Sequence, residues 1–426
     1  MIPVTDLRTL EDGVQQRVVI TGMGMVTCLG SGVAANWEAL TAGRSGIGPI
    51  TLFDASEYLT KFAGEVQGNF DPTGSIPEKE LRRLDRFQQF ALVAAAEALR
   101  DSSLPCPPED PLRCGVIVGS GMGGLATIEK GMEIIQTKGP RRAPPLLITM
   151  AVTNLLPGML AIKYGFKGPN FGIVNACASG ASAIGEAYRA IHDGRADAVI
   201  TGGTEAVITS LSVAGFNALR ALSTRNGEPE KASRPFDSDR DGFVIAEGAG
   251  IIVLESLEYA RARGANIYAE IVGYGATDDG YHFVMPDPEG EGAYQAMRLA
   301  VEEAGISPDL IDYINAHGTS TDLNDRMETV AIKRLMGPAA SKVSISSSKS
   351  MTGHLIGAAG AVEAIYTVMA IRTGTVPPTI NLDNPDPECD LDYTPNKAKS
   401  RQVNYAISNS FAFGGQNASL LFKRAD

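Results

Sequence analysis

Cys177 stands in Ile173-Val174-Asn175-Ala176-Cys177-Ala178-Ser179-Gly180, just ahead of an alanine-rich stretch with helical spacing. A strand that turns through small residues into a helix sets a thiol at the helix N-terminus. There the dipole and free backbone N–H groups stabilise a thiolate, so a lowered pKa and a sharpened nucleophile are expected. A buried structural cysteine is the competing reading of the same local sequence. The other cysteines, Cys28, Cys106, Cys114 and Cys389, have no comparable setting.

Of the four histidines, His317 and His354 lie in glycine- and hydroxyl-rich segments. His317 opens His317-Gly318-Thr319-Ser320-Thr321 directly after an apolar run, and His354 closes Lys349-Ser350-Met351-Thr352-Gly353-His354 before another helical stretch. His192 precedes Asp193-Gly194 and reads as a solvated helix end; His282 is ambiguous. A cysteine protease needs one histidine as base and an Asn or Asp to orient it, which leaves the second histidine without a role. Carbon–carbon bond formation from a decarboxylating thioester uses both. The thiolate takes an acyl group, and neutral imidazoles donate hydrogen bonds where enolate charge develops as carbon dioxide leaves.

The elements that must position these groups are legible as alternating strands and helices. Short, nearly apolar, β-branched runs occur at 17–21, 115–119, 198–202, 251–254, 269–273, 313–316 and 405–408, and alanine-rich helical spacing at 87–99, 181–191, 293–304 and 361–371. Apolar strands alternating with helices predict sheets covered on both faces. The unit 18–24 has an echo in Glu270-Ile271-Val272-Gly273-Tyr274-Gly275. Two related halves, 17–262 and 263–426, are therefore expected behind an N-terminal extension 1–16.

Length and composition narrow the class. A chain of 426 residues with a net charge of −12 has ample core, and its acidity argues against a general nucleic-acid coat. Five cysteines without CxxC spacing exclude a disulfide scaffold or zinc ribbon and fit a reducing compartment. No apolar run reaches the ~18 residues of a membrane span, and the opening segment lacks the character of a secretory or transit signal, so a cytoplasmic location is expected. Gly119-Ser120-Gly121-Met122-Gly123-Gly124 has the look of a phosphate loop, but no Lys-Ser/Thr follows, which argues against nucleotide binding.

The sequence resembles the elongating β-ketoacyl-[acyl carrier protein] synthases of bacterial-type fatty acid synthesis, from about residue 17 to 424. The likeness rests on Asn175-Ala176-Cys177-Ala178-Ser179-Gly180, Ser233-Arg234-Pro235-Phe236-Asp237 with Asp241-Gly242-Phe243-Val244, the His317 and Lys349–His354 motifs, Pro377-Pro378-Thr379-Ile380-Asn381-Leu382 and Ser408-Asn409-Ser410-Phe411. The resemblance implies a thiolase-like fold, a duplicated αβαβα five-layer sandwich, in a homodimer. It implies Cys177 as nucleophile and His317 and His354 as the decarboxylation and condensation pair, with Lys349, Glu328 and Asp325 in the supporting network. A Lys–Glu pair is also an ordinary structural ion pair.

Thr319 and Thr321 match hydroxyls that bind the phosphopantetheine arm, although loop capping explains them equally well. Phe413 matches the aromatic gate; its N–H and that of Cys177 form the implied oxyanion hole. Met122 matches a wall of the acyl pocket, and Lys79, Arg82, Arg83, Arg141, Arg142 and Arg220 match carrier-docking positions, with a solvated charged face as their alternative. No metal or cofactor is implied, because the acyl carrier protein brings the phosphopantetheine.

Three positions depart from the family pattern: Ala412 and Ala246 where glycine is usual, and Asp322 where proline is frequent. Alanine at 412 narrows the backbone freedom of the gate. The same motifs leave two alternatives, a polyketide-type ketosynthase and a non-catalytic chain-length subunit; the presence of Cys177 weighs against the latter. A degradative thiolase needs a second cysteine near the C-terminus, and 408–415 holds none.

Overall fold

The computed structural model describes residues 15–66 and 70–425. All but the last two residues of the expected extension 1–16 lie outside the described residues. Ten strands make one continuous sheet: β1 (Val18–Thr27), β2 (Cys114–Gly119), β3 (Asn170–Ile173), β4 (Ala198–Glu205), β5 (Gly248–Ser256), β6 (Ala269–Asp278), β7 (Tyr313–Asn315), β8 (Ser344–Ser346), β9 (Tyr405–Phe411) and β10 (Gln416–Arg424). A two-residue strand, Gly30–Ser31, hangs on the end of β1.

The order is β8-β7-β9-β10-β6-β1-β5-β4-β2-β3. β3, β2 and β4 are parallel, and β5 and β1 add antiparallel. The other side repeats this scheme: β8, β7 and β9 are parallel, and β10 and β6 add antiparallel. Only three residue pairs, Val18 with Ile271, Val19 with Glu270 and Ile20 with Ala269, join the two fives across β1 and β6.

Of the six helices of more than ten residues among the described residues, five complete the layers: α1 (Arg86–Ser102), α2 (Ser179–His192), α3 (Glu291–Glu303), α4 (Asp322–Met336) and α5 (Ala359–Thr373). α2 and α5 pack on each other and on strands of both fives, so they form the central layer. α1 covers β1 and β5 from outside, and α3, with α4 packed beside it, covers β6 and β10. The result is the expected αβαβα sandwich.

Close approach explains part of the glycine content. A Cβ at Gly22 or Gly24 would sit 2.2 or 2.1 Å from carbonyl oxygens of α1, so only glycine lets that helix lie directly on β1. α5 is buried nearly all round, and its fifteen residues carry only two charges, Glu363 and Arg372. A helix without a polar face belongs in the interior. The elements extend past the expected runs: β1 continues to Thr27 through a bulge between Ile20 and Gly22, and β4 continues to Glu205. The expected runs followed apolar composition and so stopped where hydroxyl, glycine and acidic residues began; main-chain pairing carries the strands on.

Candidate active site

Cys177 sits in a single 3-10 turn, Ala176–Ala178, between β3 and α2. The turn is strained and tightly tied. Ala176 has φ 42°, the Asn175 N–H donates to Ser179 Oγ at 2.9 Å, and that hydroxyl donates back to the Ala176 carbonyl at 2.7 Å. Small residues are required because a Cβ at Gly180 would lie 2.9 Å from the Gly357 carbonyl oxygen.

His317 follows β7 and His354 follows the short helix Lys349–Thr352. The two imidazoles meet edge to face, ring centres 5.3 Å apart at 87°. Both line one cavity of about 520 Å3 with Cys177, Met122, Arg220, Thr319, Thr321 and Phe413. His354 is held by its main chain: its N–H donates to the Val244 carbonyl at 2.7 Å, its carbonyl accepts from Ala246, and the Phe243 ring meets it edge-on at 5.4 Å. Both ring nitrogens of His354 and Nδ1 of His317 are buried without a hydrogen-bond partner. Unpaired polar atoms of this kind are expensive unless a ligand completes them.

The expected lowering of the Cys177 pKa is overturned. Burial pushes the thiol up to about 11, and the Phe413 N–H and the Lys349 charge only partly offset this, while Glu205 adds to the rise. The sulfur lies buried ahead of α2, and loss of solvation outweighs the helix end. Burial holds both imidazoles well below the usual histidine range, the Lys349 ammonium adds to that, and His354 depresses His317 further. They are neutral at physiological pH.

Lys349, Glu328 and Asp325, expected in one supporting network, have separate partners. Lys349 Nζ pairs with Glu363 on α5, and the two side chains are 1% and 2% exposed. Glu328, on α4, instead accepts the N–H groups of His317 and Gly318 at 2.8 Å each, and Asn409 donates to it at 3.1 Å. It braces the His317 turn from behind, and burial raises its carboxyl to about 7. Asp325 accepts the Phe236 N–H at 2.8 Å and faces Arg240 at 3.7 Å. Arg240 in turn donates to the Thr321 and Asp322 carbonyls, at 3.1 Å each, and so steadies the loop that carries Thr319 and Thr321. The hydroxyls of those threonines lie 2.9 Å apart.

Phe413 occupies the hairpin tip between β9 and β10, where its N–H lowers the Cys177 thiol pKa against the effect of burial. The tip is tethered where the Gly414 N–H donates to the Phe283 carbonyl at 2.9 Å. Ala412 fits without strain, since it does not adopt a positive φ while Gly414 and Gly415 do. Asp322 is the first residue of α4, a position that suits proline and, through the dipole, an acid. The methyl group of Ala246 is accommodated by glycine at 64 and 353, where an added Cβ would lie 2.8 and 3.1 Å from it.

Arg220 is on the cavity rim beside Leu219. Lys79, on the short helix Glu78–Leu81, and Arg82 and Arg83 just after it are exposed and do not line the cavity; the same holds for Arg141 and Arg142 in the turn Pro140–Arg142. His282 sits in the loop after β6, where its Nδ1 accepts the N–H groups of Val284 and Met285 at 3.0 and 3.1 Å. His192 ends α2 against Tyr188 and Asp193. Among the described residues no cluster of three His, Cys, Asp or Glu side chains is arranged to hold a metal ion. Glu363, Glu205 and Arg240 escaped the sequence reading, and Phe243 entered it only as part of a motif. Glu363 had a signal, a lone carboxylate in an apolar helix.

A sulfur and two neutral imidazoles in one cavity, on a duplicated five-layer sandwich, define a condensing enzyme of the thiolase-like class. The chain belongs to the β-ketoacyl synthase family: the N-terminal domain of that description matches residues 15–260 and the C-terminal domain residues 268–383. It is 51% identical to 3-oxoacyl-[acyl-carrier-protein] synthase 2 of Synechocystis over 96% of this chain and 98% of that one. The like-named protein of Coxiella burnetii is also 51% identical, over 96% and 99%. Among solved structures, a β-ketoacyl synthase from Burkholderia phymatum superposes with TM-score 0.89 at 38% identity, over 96% of this chain and all of that one. A type II polyketide ketosynthase in complex with its acyl-carrier protein and bound to the hexaketide superposes with TM-score 0.89 at 35% identity, over the same shares.

Proposed function

We propose that the protein joins malonyl-carrier to an acyl chain held on Cys177, with loss of carbon dioxide, to give a 3-oxoacyl-carrier two carbons longer, the elongation step of fatty acid synthesis. The observation that carries this reading is the convergence of Cys177, His317 and His354 on one cavity. Higher identity to the 3-oxoacyl synthases than to the polyketide ketosynthase favours the fatty acid pathway.

In the first half-reaction the Cys177 sulfur attacks the acyl thioester of the loaded carrier. Its proton leaves with the pantetheine thiol. The N–H groups of Cys177 and Phe413 receive the oxyanion, and Lys349 and the Phe413 N–H reduce the cost of the passing thiolate. Malonyl-carrier then enters with its arm against Thr319 and Thr321. Neutral His317 and His354 donate to the thioester oxygen as the carboxylate departs, and the enolate carbon attacks the acyl carbonyl and expels the Cys177 sulfur. Burial keeps the imidazoles neutral and the Lys349 charge adds to this, and Glu328 braces the His317 main chain. The enzyme supplies no metal or dissociable cofactor, since the pantetheine arrives on the carrier.

The carrier protein is the partner this reading requires, and the solved complex of a related ketosynthase with its carrier supports it. Arg220 on the rim is the first docking candidate, with Lys79, Arg82, Arg83, Arg141 and Arg142 further out. A homodimer belongs to the same reading: β3 is an edge strand, and Phe171 in it and Val174 just after it are 53% and 54% exposed. The mirrored strand order supports two related halves, 17–262 and 263–426. Five free cysteines support a reducing, cytoplasmic location, and among the described residues no helix is long and apolar enough to cross a membrane.

Replacement of Cys177→Ala is expected to abolish condensation, and His317→Ala and His354→Ala each to suppress carbon dioxide release. Unimpaired product formation by the Cys177 variant refutes the nucleophile assignment.

A further inference from the structure

The last residue of β4, Glu205, is fully buried and has no cation among its hydrogen-bond partners. Its carboxylate instead gathers four donors from two separate turns. Oε2 accepts the Gly121 N–H at 2.7 Å and the Gly357 N–H at 3.0 Å; Oε1 accepts Ser120 Oγ at 3.1 Å and the Met122 N–H at 3.2 Å. One turn follows β2 and carries Met122. The other precedes α5 and carries Ile356, at φ 46°. Gly121, Met122, Ile356 and Cys177 all line the same cavity.

The two turns are clamped as close as backbones can come. A Cβ at Gly357 would lie 2.2 Å from the Gly121 nitrogen and 2.6 Å from Glu205 Oε2; one at Gly121 would lie 2.8 Å from the same oxygen. This carboxylate is costly in two ways. Burial pushes its carboxyl up to about 7 despite its donors, and its charge opposes ionisation of the Cys177 thiol. A neutral side chain would avoid both costs, but none offers two oxygens that each accept two donors.

We propose that Glu205 is a specificity-positioning residue, whose carboxylate locks the Met122 turn to the Ile356 turn and thereby sets which acyl chain lengths Cys177 accepts. The inference rests on Cys177 as the acyl acceptor and Met122 as a wall of the acyl pocket. An amide at 205 turns one acceptor oxygen into a donor that faces N–H groups. The clamp then opens, and the cavity wall no longer has one fixed contour.

The test is the rate of Cys177 acylation by a ladder of acyl-carriers, from short to long chains, followed by intact mass and peptide mapping. In wild-type protein the label maps to Cys177; label elsewhere refutes the underlying assignment. In Glu205→Gln the ratio of best to worst chain length is expected to flatten by about tenfold, the scale on which a pocket reads single methylenes. Ser120→Ala, which removes one donor and spares the carboxylate, is expected to flatten it by about twofold to threefold and keeps the test open if the glutamine variant does not fold. A profile that falls uniformly, superimposable on wild type after scaling, in the variants that fold overturns the inference, because that is what a merely structural role produces.

Discussion

Lys349 and Glu363 form an ion pair in the centre of the protein, with side chains 1% and 2% exposed, and the glutamate comes from a helix whose other charged residue is nine positions further along. The pair holds a positive charge close enough to depress both imidazoles of the cavity.

Breaking that pair leaves a buried charge alone. Glu363→Ala is therefore expected to destabilise the protein by about 3–5 kcal/mol. The double variant Lys349→Met with Glu363→Leu is expected to recover most of this in denaturant unfolding, without recovering activity.

The imidazoles are neutral because burial and the Lys349 charge hold them down. Histidines of ordinary pKa would gain charge as pH falls through ~6.5, and these do not. Malonyl decarboxylation at saturating carrier is expected to change by less than about threefold between pH 8 and 6. A fall that follows one ionisation near 6.5 contradicts neutral donors. The sign for stability is separate: the unfolded chain binds protons at these histidines that the folded protein refuses, so their contribution is complete above ~6.5 and declines as pH drops below it.

With its thiol raised to about 11, Cys177 is protonated at neutral pH in the resting protein. Its alkylation by a small neutral reagent is expected to speed up about tenfold per pH unit from 7 to 9, since only the thiolate reacts. A rate already level at pH 7 indicates a low thiol pKa.

Arg220 is exposed on the rim, and no ion pair engages it among the described residues. Arg220→Glu is expected to raise the KM for carrier substrates by about tenfold at low salt with kcat little changed, and the gap should narrow as salt increases. Equal loss on pantetheine-only substrates argues against docking.

Ala412 takes an unstrained backbone at the foot of the hairpin between β9 and β10. Ala412→Gly is expected to lower stability by about 0.4–1 kcal/mol through the unfolded chain, read in denaturant unfolding, and to speed the loading phase in stopped-flow acylation.

The alternation of strands and helices was legible in the sequence because it is local: β-branched apolar runs and alanine-rich helical spacing mark 115–119, 198–202 and 181–191 within a residue or three of the observed bounds. Cys177, His317 and His354 were legible as motifs, because each sits where an apolar run gives way to small and hydroxyl residues. The short strand β8 was not, since Ser344–Ser346 has one apolar residue and depends on neighbours for pairing, and β3, Asn170–Ile173, was read only as the strand that must precede Cys177.

Tertiary structure alone decided who partners whom and which protons stay on. Lys349 has Glu328 and Glu363 at comparable sequence distances, and only the placement of α5 in the central layer puts Glu363 on its ammonium and leaves Glu328 to the His317 main chain. The height of the Cys177 pKa was equally out of reach, because desolvation sums atoms from many distant segments whereas the helix-end effect is read from a few adjacent residues. The carboxylate of Glu205, between two turns more than two hundred residues apart, is a relation that no local pattern encodes.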